Sequence, residues 1–129
     1  GHAHATCLAL RIAADGSATL ANAGHLPPYL NAKELPMEGA LPLGMVESAE
    51  FSVMHFQLAP GDRLLLMSDG VAEAQDEKGQ LFGFERIEEL LRKPITAAEV
   101  AAAAQNFGQE DDISVLSVTR IDALRTVHA

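Results

Sequence analysis

The 129-residue sequence has no tryptophan, one tyrosine, one cysteine, and only 9 basic side chains against 18 acidic ones. A single cysteine excludes a disulfide framework and fits a reducing cytoplasm, which is the location that we expect. The formal net charge of −9 disfavours nucleic acid and anionic membrane surfaces as partners. No apolar run approaches the length of a membrane span and no signal-peptide pattern opens the chain, so we expect no direct membrane contact.

The chain contains enough apolar residues to form a hydrophobic core. Apolar residues make up 48% of the chain, and the length fits one domain. Cys7 lies within an apolar run and is predicted to be a small core residue. His2 and His4 could chelate a metal at alternate positions, but a ragged terminus over residues 1–4 is the simpler interpretation. Residues 121–129 are predicted to form a tail.

The first half of the chain predicts antiparallel strands with short connections. Apolar stretches at 5–13 and 18–23 flank Asp15-Gly16, a pattern typical of a hairpin. A second, shorter hairpin is predicted within 29–35. Strands at 51–58 and 63–67 are separated by Pro60-Gly61-Asp62, and this series of strands and turns predicts a meander.

The second half predicts two helices and one more strand. After an exposed connection over 71–79, apolar residues recur at helical spacing at Phe84, Ile87, Leu90 and Leu91. Thr96 followed by Glu99 matches a capping box, so a second helix is predicted to begin there and to end at Gly108. Residues 113–119 are predicted to form a strand. The predicted class is α+β, with antiparallel β-sheets and two helices packed on them.

Carboxylates stand at the ends of two predicted strands. Asp69 follows the strand at 63–67, and Gly70 after it permits a sharp turn and the close approach of a ligand. Asp111 and Asp112 precede the last strand. If the two strands are antiparallel neighbours, these ends meet, and oxygen ligands of this kind favour Mg²⁺ or Mn²⁺. A structural turn at each place is the alternative.

Five motifs in a fixed order resemble the sporulation stage II protein E branch of the PPM (protein phosphatase 2C) superfamily. They are Asn22-Ala23-Gly24-His25, Leu41-Pro42-Leu43-Gly44, the stretch from Leu58 to Gly70 that contains Ser68-Asp69-Gly70, Phe82-Gly83-Phe84-Glu85-Arg86, and Asp111-Asp112-Ile113-Ser114-Val115. The match runs over residues 5–120. It implies a PPM-type α-β-β-α sandwich with a Mg²⁺ or Mn²⁺ cluster at one edge.

The resemblance also implies a reaction and its residues. Members of this family hydrolyse phosphoserine or phosphothreonine on a protein, often a bacterial regulator of the anti-sigma-factor antagonist type, with metal-activated water as the nucleophile and no catalytic side chain. By motif position, Asp69 and Asp111 match metal ligands, Asp112 is a weaker candidate, and Gly70 supports the turn. His25 lies outside the ligand positions and is interpreted as a structural turn histidine.

The sequence departs from the family in one respect. Residues 5–120 correspond to the carboxy-terminal part of the phosphatase domain, and the acid that bridges the two metals in the amino-terminal half has no counterpart. Two aspartates should hold at most one loosely bound ion, so we expect little activity from the chain alone. Uncovered sheet edges favour a homodimer. The alternative function is a non-catalytic interaction or dimerisation module, although the two acids favour the enzyme.

Overall fold

The computed structural model describes residues 6–36, 52–109 and 112–121. Its elements confirm the α+β class, with antiparallel sheets and few helices. In chain order they are β1 (Cys7–Ile12), β2 (Ser17–Ala23), β3 (Tyr29–Leu30), β4 (Lys33–Glu34), β5 (Ser52–Gln57), β6 (Arg63–Met67), α1 (Asp69–Ala72), α2 (Gly83–Leu91), α3 (Ala97–Phe107) and β7 (Val115–Thr119).

The chain divides into two compact units, each with its own sheet. Unit 1 comprises residues 1–27, 35–63 and 119–129, and unit 2 comprises residues 28–34 and 64–118. Strands β1, β2 and β5 form the three-stranded sheet in the order β1-β2-β5. The four-stranded sheet has the order β4-β3-β6-β7.

In unit 1, the hairpin of β1 and β2 is present as the sequence predicts. The turn places Gly16 at φ 89°, and the Ser17 amide donates to Oδ1 of Asp15 over 2.9 Å. The central strand β2 is the most buried of the three, with Leu20 fully covered. Cys7 is exposed, so its predicted core position is wrong. It lies on β1, which pairs on one side only among the described strands.

Arg120 connects the segment after β7 to the turn before β6 in unit 1. Its backbone amide donates to the Asp62 carbonyl over 3.0 Å, and its own carbonyl accepts from the Gly61 amide over 2.7 Å. Its guanidinium donates to the Leu58 carbonyl over 2.6 Å. The Leu58 amide in turn donates to the Gly16 carbonyl over 2.8 Å. Three segments far apart in sequence therefore meet at this residue.

In unit 2, strand β6 is the buried centre of the sheet. Leu64, Leu65 and Met67 are buried, and Leu65 is paired with Tyr29 of β3. The predicted small hairpin of β3 and β4 is confirmed. The predicted meander is wrong, because β5 pairs with β2 while β6 pairs with β3. A short connection does not require the strands on either side of it to share a sheet.

The connection after β6 differs from the prediction as well. Residues 69–72 form the one-turn helix α1, and Val71 is 0% exposed. Ala72 and Ala74 are also buried. The polar and acidic residues of this stretch led to the prediction of an exposed connection, but its small apolar residues supply part of the core.

The two longer helices begin and end close to their predicted positions. On α2, Ile87 and Leu91 are buried, but Phe84 is 48% exposed and does not belong to the buried stripe. On α3, the capping box is confirmed because the Thr96 hydroxyl accepts from the Glu99 amide over 3.1 Å.

Aromatic contacts join the start of α2 to the end of α3. The rings of Phe82 and Phe107 meet edge to face, with centroids 5.2 Å apart. The Arg86 guanidinium lies 4.6 Å above the Phe107 ring. Among the described residues no helix is long and apolar enough to cross a membrane.

Candidate metal site

Strands β6 and β7 are neighbours in the four-stranded sheet, and they run antiparallel. Near one end, the Arg120 amide donates to the Asp62 carbonyl, and near the other, the Ser68 amide donates to the Ser114 carbonyl over 2.9 Å. The end of β6 therefore lies beside the segment that enters β7. This is the arrangement on which the predicted convergence of acids depends.

Asp69 is the first residue of α1 and directly follows the strand-like Ser68, which has φ −75° and ψ 161°. Its carbonyl accepts from the Glu73 amide over 3.0 Å, which closes the single helical turn. The carboxylate oxygen Oδ1 is buried and has no hydrogen-bond partner in the part of the chain that the structure describes. An unpartnered buried acceptor is costly, so this oxygen is suited to a ligand that supplies positive charge.

Gly70 brings this turn into direct contact with the segment before β7. A Cβ at this position would lie 2.5 Å from Nε2 of Gln109, 2.7 Å from Cγ2 of Ile113 and 3.2 Å from the Asp112 carbonyl oxygen. Only glycine leaves room for this approach. The predicted supporting role of Gly70 therefore has a steric basis, and the backbone of Asp112 lies close to the residue that follows Asp69.

The second predicted ligand, Asp111, lies outside the described residues. The side chain of Asp112 is exposed. Across residues 6–36, 52–109 and 112–121, no group of three or more His, Cys, Asp and Glu side chains could hold a metal ion. The buried oxygen of Asp69 fits a divalent cation, but the described residues do not form a complete site, since such ions take six or more oxygen ligands.

Two residues to which the sequence assigned no role, Ser68 and Gln109, support Asp69 from either side. The Ser68 hydroxyl accepts from the Ser114 amide over 2.9 Å, and the Gln109 side chain donates to the Gly70 carbonyl over 2.8 Å. Neither has a pattern that could have indicated this role. The partner is a backbone group more than 35 positions away in each case.

His25 occupies a closed turn in unit 1, in agreement with its structural interpretation. The buried Asn22 accepts from the His25 amide over 2.7 Å and donates to the His25 carbonyl over 2.9 Å. The ring Nδ1 lies 3.0 Å from the Leu26 carbonyl, to which it donates in the Nδ1-protonated tautomer. These contacts fix the turn through its own backbone.

Comparisons with known proteins show the fold and the family of the chain. Protein IcfG of Synechocystis sp. (strain ATCC 27184 / PCC 6803 / Kazusa) is 27% identical over 120 residues, which cover 82% of the chain and 19% of IcfG. The Mn-presoaked phosphatase domain of the cell fate determinant SpoIIE from Bacillus subtilis is 22% identical with a TM-score of 0.64, over 92% of this chain and 57% of that one. The chain thus spans a minor part of IcfG and little more than half of that domain.

A third similar structure contains the RsbU and RsbW domains of Rv1364c from Mycobacterium tuberculosis. It is 24% identical with a TM-score of 0.61, and the match covers 84% of this chain and 33% of that one. These structural matches show that the chain has the fold of PP2C-type phosphatase domains. The model of the family Stage II sporulation protein E (SpoIIE) matches residues 1–121, so the chain belongs to the SpoIIE family.

Proposed function

We propose that this chain supplies part of the metal centre of a metal-dependent protein phosphatase that hydrolyses phosphoserine or phosphothreonine. The buried, unpartnered Oδ1 of Asp69 carries the proposal. A carboxylate that only made a turn would accept hydrogen bonds, as Asp76 does from the amides of Lys78 and Gln80. Oδ1 of Asp69 accepts none within the described part of the chain, at the end of a strand that lies beside the second acidic segment.

The proposed roles follow the positions of the acids. Asp69 and Asp111 hold a Mn²⁺ or Mg²⁺ ion, with Asp112 as a weaker candidate, and no side chain of the chain acts as nucleophile or base. A bound divalent ion makes water a better nucleophile near neutral pH and neutralises charge on the phosphoryl group. The chain contributes the fixed backbone position of Asp69, because Ser68 and Gly70 are both anchored to the segment before β7.

The proposed substrate is a phosphorylated regulatory protein of the anti-sigma-factor antagonist type, acting in the cytoplasm. Membership of the SpoIIE family supports this choice. The acidic balance of the chain, −9, agrees with a protein partner and disfavours nucleic acid.

We also propose that copies of the chain associate through a sheet edge. Strand β1 pairs only with β2 among the described strands, and most of its side chains are exposed. An edge strand presents unpaired amide and carbonyl groups to another chain. Light scattering at rising concentration should show a dimer. A monomeric mass throughout would contradict this proposal.

The experiment that tests the phosphatase proposal uses the protein in its full length and a phosphoserine protein substrate. Phosphate release should depend on added Mn²⁺ and should disappear in Asp69→Asn. Asp76→Asn is the matched control, since Asp76 makes backbone hydrogen bonds and belongs to no proposed site. Equal rates in the wild type and Asp69→Asn would reject the role of Asp69. Partner binding without phosphate release would instead favour the non-catalytic module.

The same assay on the 129-residue chain should give little or no release. The described residues provide no cluster of three ligands, and a Mg²⁺ or Mn²⁺ ion held by two carboxylates binds weakly. Robust Mn²⁺-dependent turnover by this chain would overturn that expectation.

A further inference from the structure

We propose that Gln109 is a positioning residue for the carboxylate of Asp69, an inference that rests on the proposed metal-binding function. Its side-chain amide donates to the Gly70 carbonyl over 2.8 Å in a partly buried position. Gln109 lies two residues beyond the end of α3, whereas Gly70 is the second residue of α1. The bond therefore joins the helix that carries Asp69 to the segment that leads toward the acidic pair.

The need for this bond follows from the length of α1. A helix of one turn has almost no carbonyl groups with partners inside the helix. The Asp69 carbonyl accepts from the Glu73 amide, and the Gly70 carbonyl accepts from the side chain of Gln109. Without Gln109, the Gly70 carbonyl has no partner among the hydrogen bonds of the described chain, and the helical turn loses one of its few restraints.

The packing around Gly70 makes the contact specific. Nε2 of Gln109 would be 2.5 Å from a Cβ at Gly70, so the amide lies directly against the glycine backbone. On the other side of Asp69, the Ser68 hydroxyl and amide both bond to Ser114. The residues before and after Asp69 are thus each attached to the segment that leads into β7, and the backbone of Asp69 between them is held in place.

This arrangement holds the backbone of Asp69 at a place where Oδ1 is buried without a hydrogen-bond partner in the described chain. A freely rotating carboxylate would turn toward solvent or a backbone amide, because an unsatisfied buried acceptor costs about 1–3 kcal/mol. Gln109 and Ser68 fix the backbone on both sides of Asp69, and with it the point from which the carboxylate projects. Gln109 acts through Gly70 and does not touch the ion itself.

The test compares Gln109→Met with Gln105→Met in the full-length protein. Methionine keeps the length of the side chain but donates no hydrogen bond. Gln105 is an exposed residue of α3 four positions earlier, and its side chain makes no hydrogen bond within the described residues. Mn²⁺ affinity is measured by electron paramagnetic resonance of the free ion, and the melting temperature is measured without metal. We expect Gln109→Met to weaken Mn²⁺ binding about tenfold, as loss of contacts behind metal ligands does, and Gln105→Met to leave it unchanged.

The outcomes separate the two proposals. A lower melting temperature with unchanged Mn²⁺ affinity would make Gln109 merely structural and overturn the inference. Unchanged Mn²⁺ binding in Asp69→Asn would instead overturn the proposed function. If Gln109→Met does not fold, Gln109→Asn takes its place, because the shorter side chain keeps a polar amide but does not reach the Gly70 carbonyl. It should weaken Mn²⁺ binding in the same direction, and wild-type affinity in this variant would overturn the inference.

Discussion

Replacement of Asp69 by asparagine should have opposite effects on stability with and without metal. In the metal-free protein, Oδ1 is buried without a hydrogen-bond partner in the described chain. Such an acceptor costs about 1–3 kcal/mol, and a charge adds to that cost. Asparagine has the same shape without the charge. We therefore expect the free energy of unfolding of metal-free Asp69→Asn to equal that of the wild type or to exceed it by about 1 kcal/mol.

In saturating Mn²⁺, the wild type should have a larger free energy of unfolding than Asp69→Asn. A ligand at about 100 times its dissociation constant stabilises the folded state by about 2.7 kcal/mol. The wild type should gain this increment, and Asp69→Asn should gain almost none of it. Denaturant unfolding followed by circular dichroism, with chelator and with Mn²⁺, measures both quantities.

Asp76→Asn provides the matched control for both conditions. Its carboxylate accepts from the Lys78 and Gln80 amides, each over 2.9 Å, so loss of the charge weakens two existing bonds. This variant should be less stable than the wild type in both conditions and should keep the Mn²⁺ increment. If metal-free Asp69→Asn proves less stable than the wild type, Oδ1 has a structural partner, and the reasoning from its isolation is refuted.

Two further predictions concern unit 2. Burial, followed by the charges of two nearby glutamates, raises the pKa of Tyr29 from 10.0 to about 12. The protonated phenol thus stabilises the fold fully below pH 10, and this contribution is lost between about pH 10 and 12. Tyr29 is the sole tyrosine and the chain has no tryptophan, so tyrosinate absorbance reports it directly; a midpoint near 10 in folded protein would contradict the prediction. Gly108→Ala should cost more than about 1–3 kcal/mol, because φ is 144° and the Cβ would meet the Gln75 carbonyl oxygen. Gly79→Ala, at φ 80° in open space, measures the backbone cost alone, and equal melting temperatures for the two variants would refute the clash.

Local signals in the sequence determined much of the fold. The capping box from Thr96 to Glu99 and the turn at Asp15-Gly16 depend on groups a few residues apart, so their patterns predict them correctly. Helix α1 was missed because four residues are too few for a helical period to show. The separation of β5 and β6 into different sheets was missed because strand partners depend on distant burial, which connection length does not encode.

The same distinction between local and long-range signals applies to the candidate site. From the sequence, the antiparallel neighbourhood of β6 and β7 was only the condition for convergence of the acids, and the order of the sheet meets that condition. The contribution of Gln109 could not be inferred, because its partner is a carbonyl 39 positions away and any residue has one. The role of Asp111 as a metal ligand stays a prediction from its motif position.

The contacts of Arg120 have a consequence for biosynthesis. Leu58 and Gly61 are translated long before Arg120, yet both form hydrogen bonds with this residue. Contacts between such distant positions slow folding, because a long loop must close before they form. Unit 1 therefore cannot complete its fold on the ribosome until residue 120 has left the exit tunnel, and a nascent chain arrested before that point should be readily cleaved by protease.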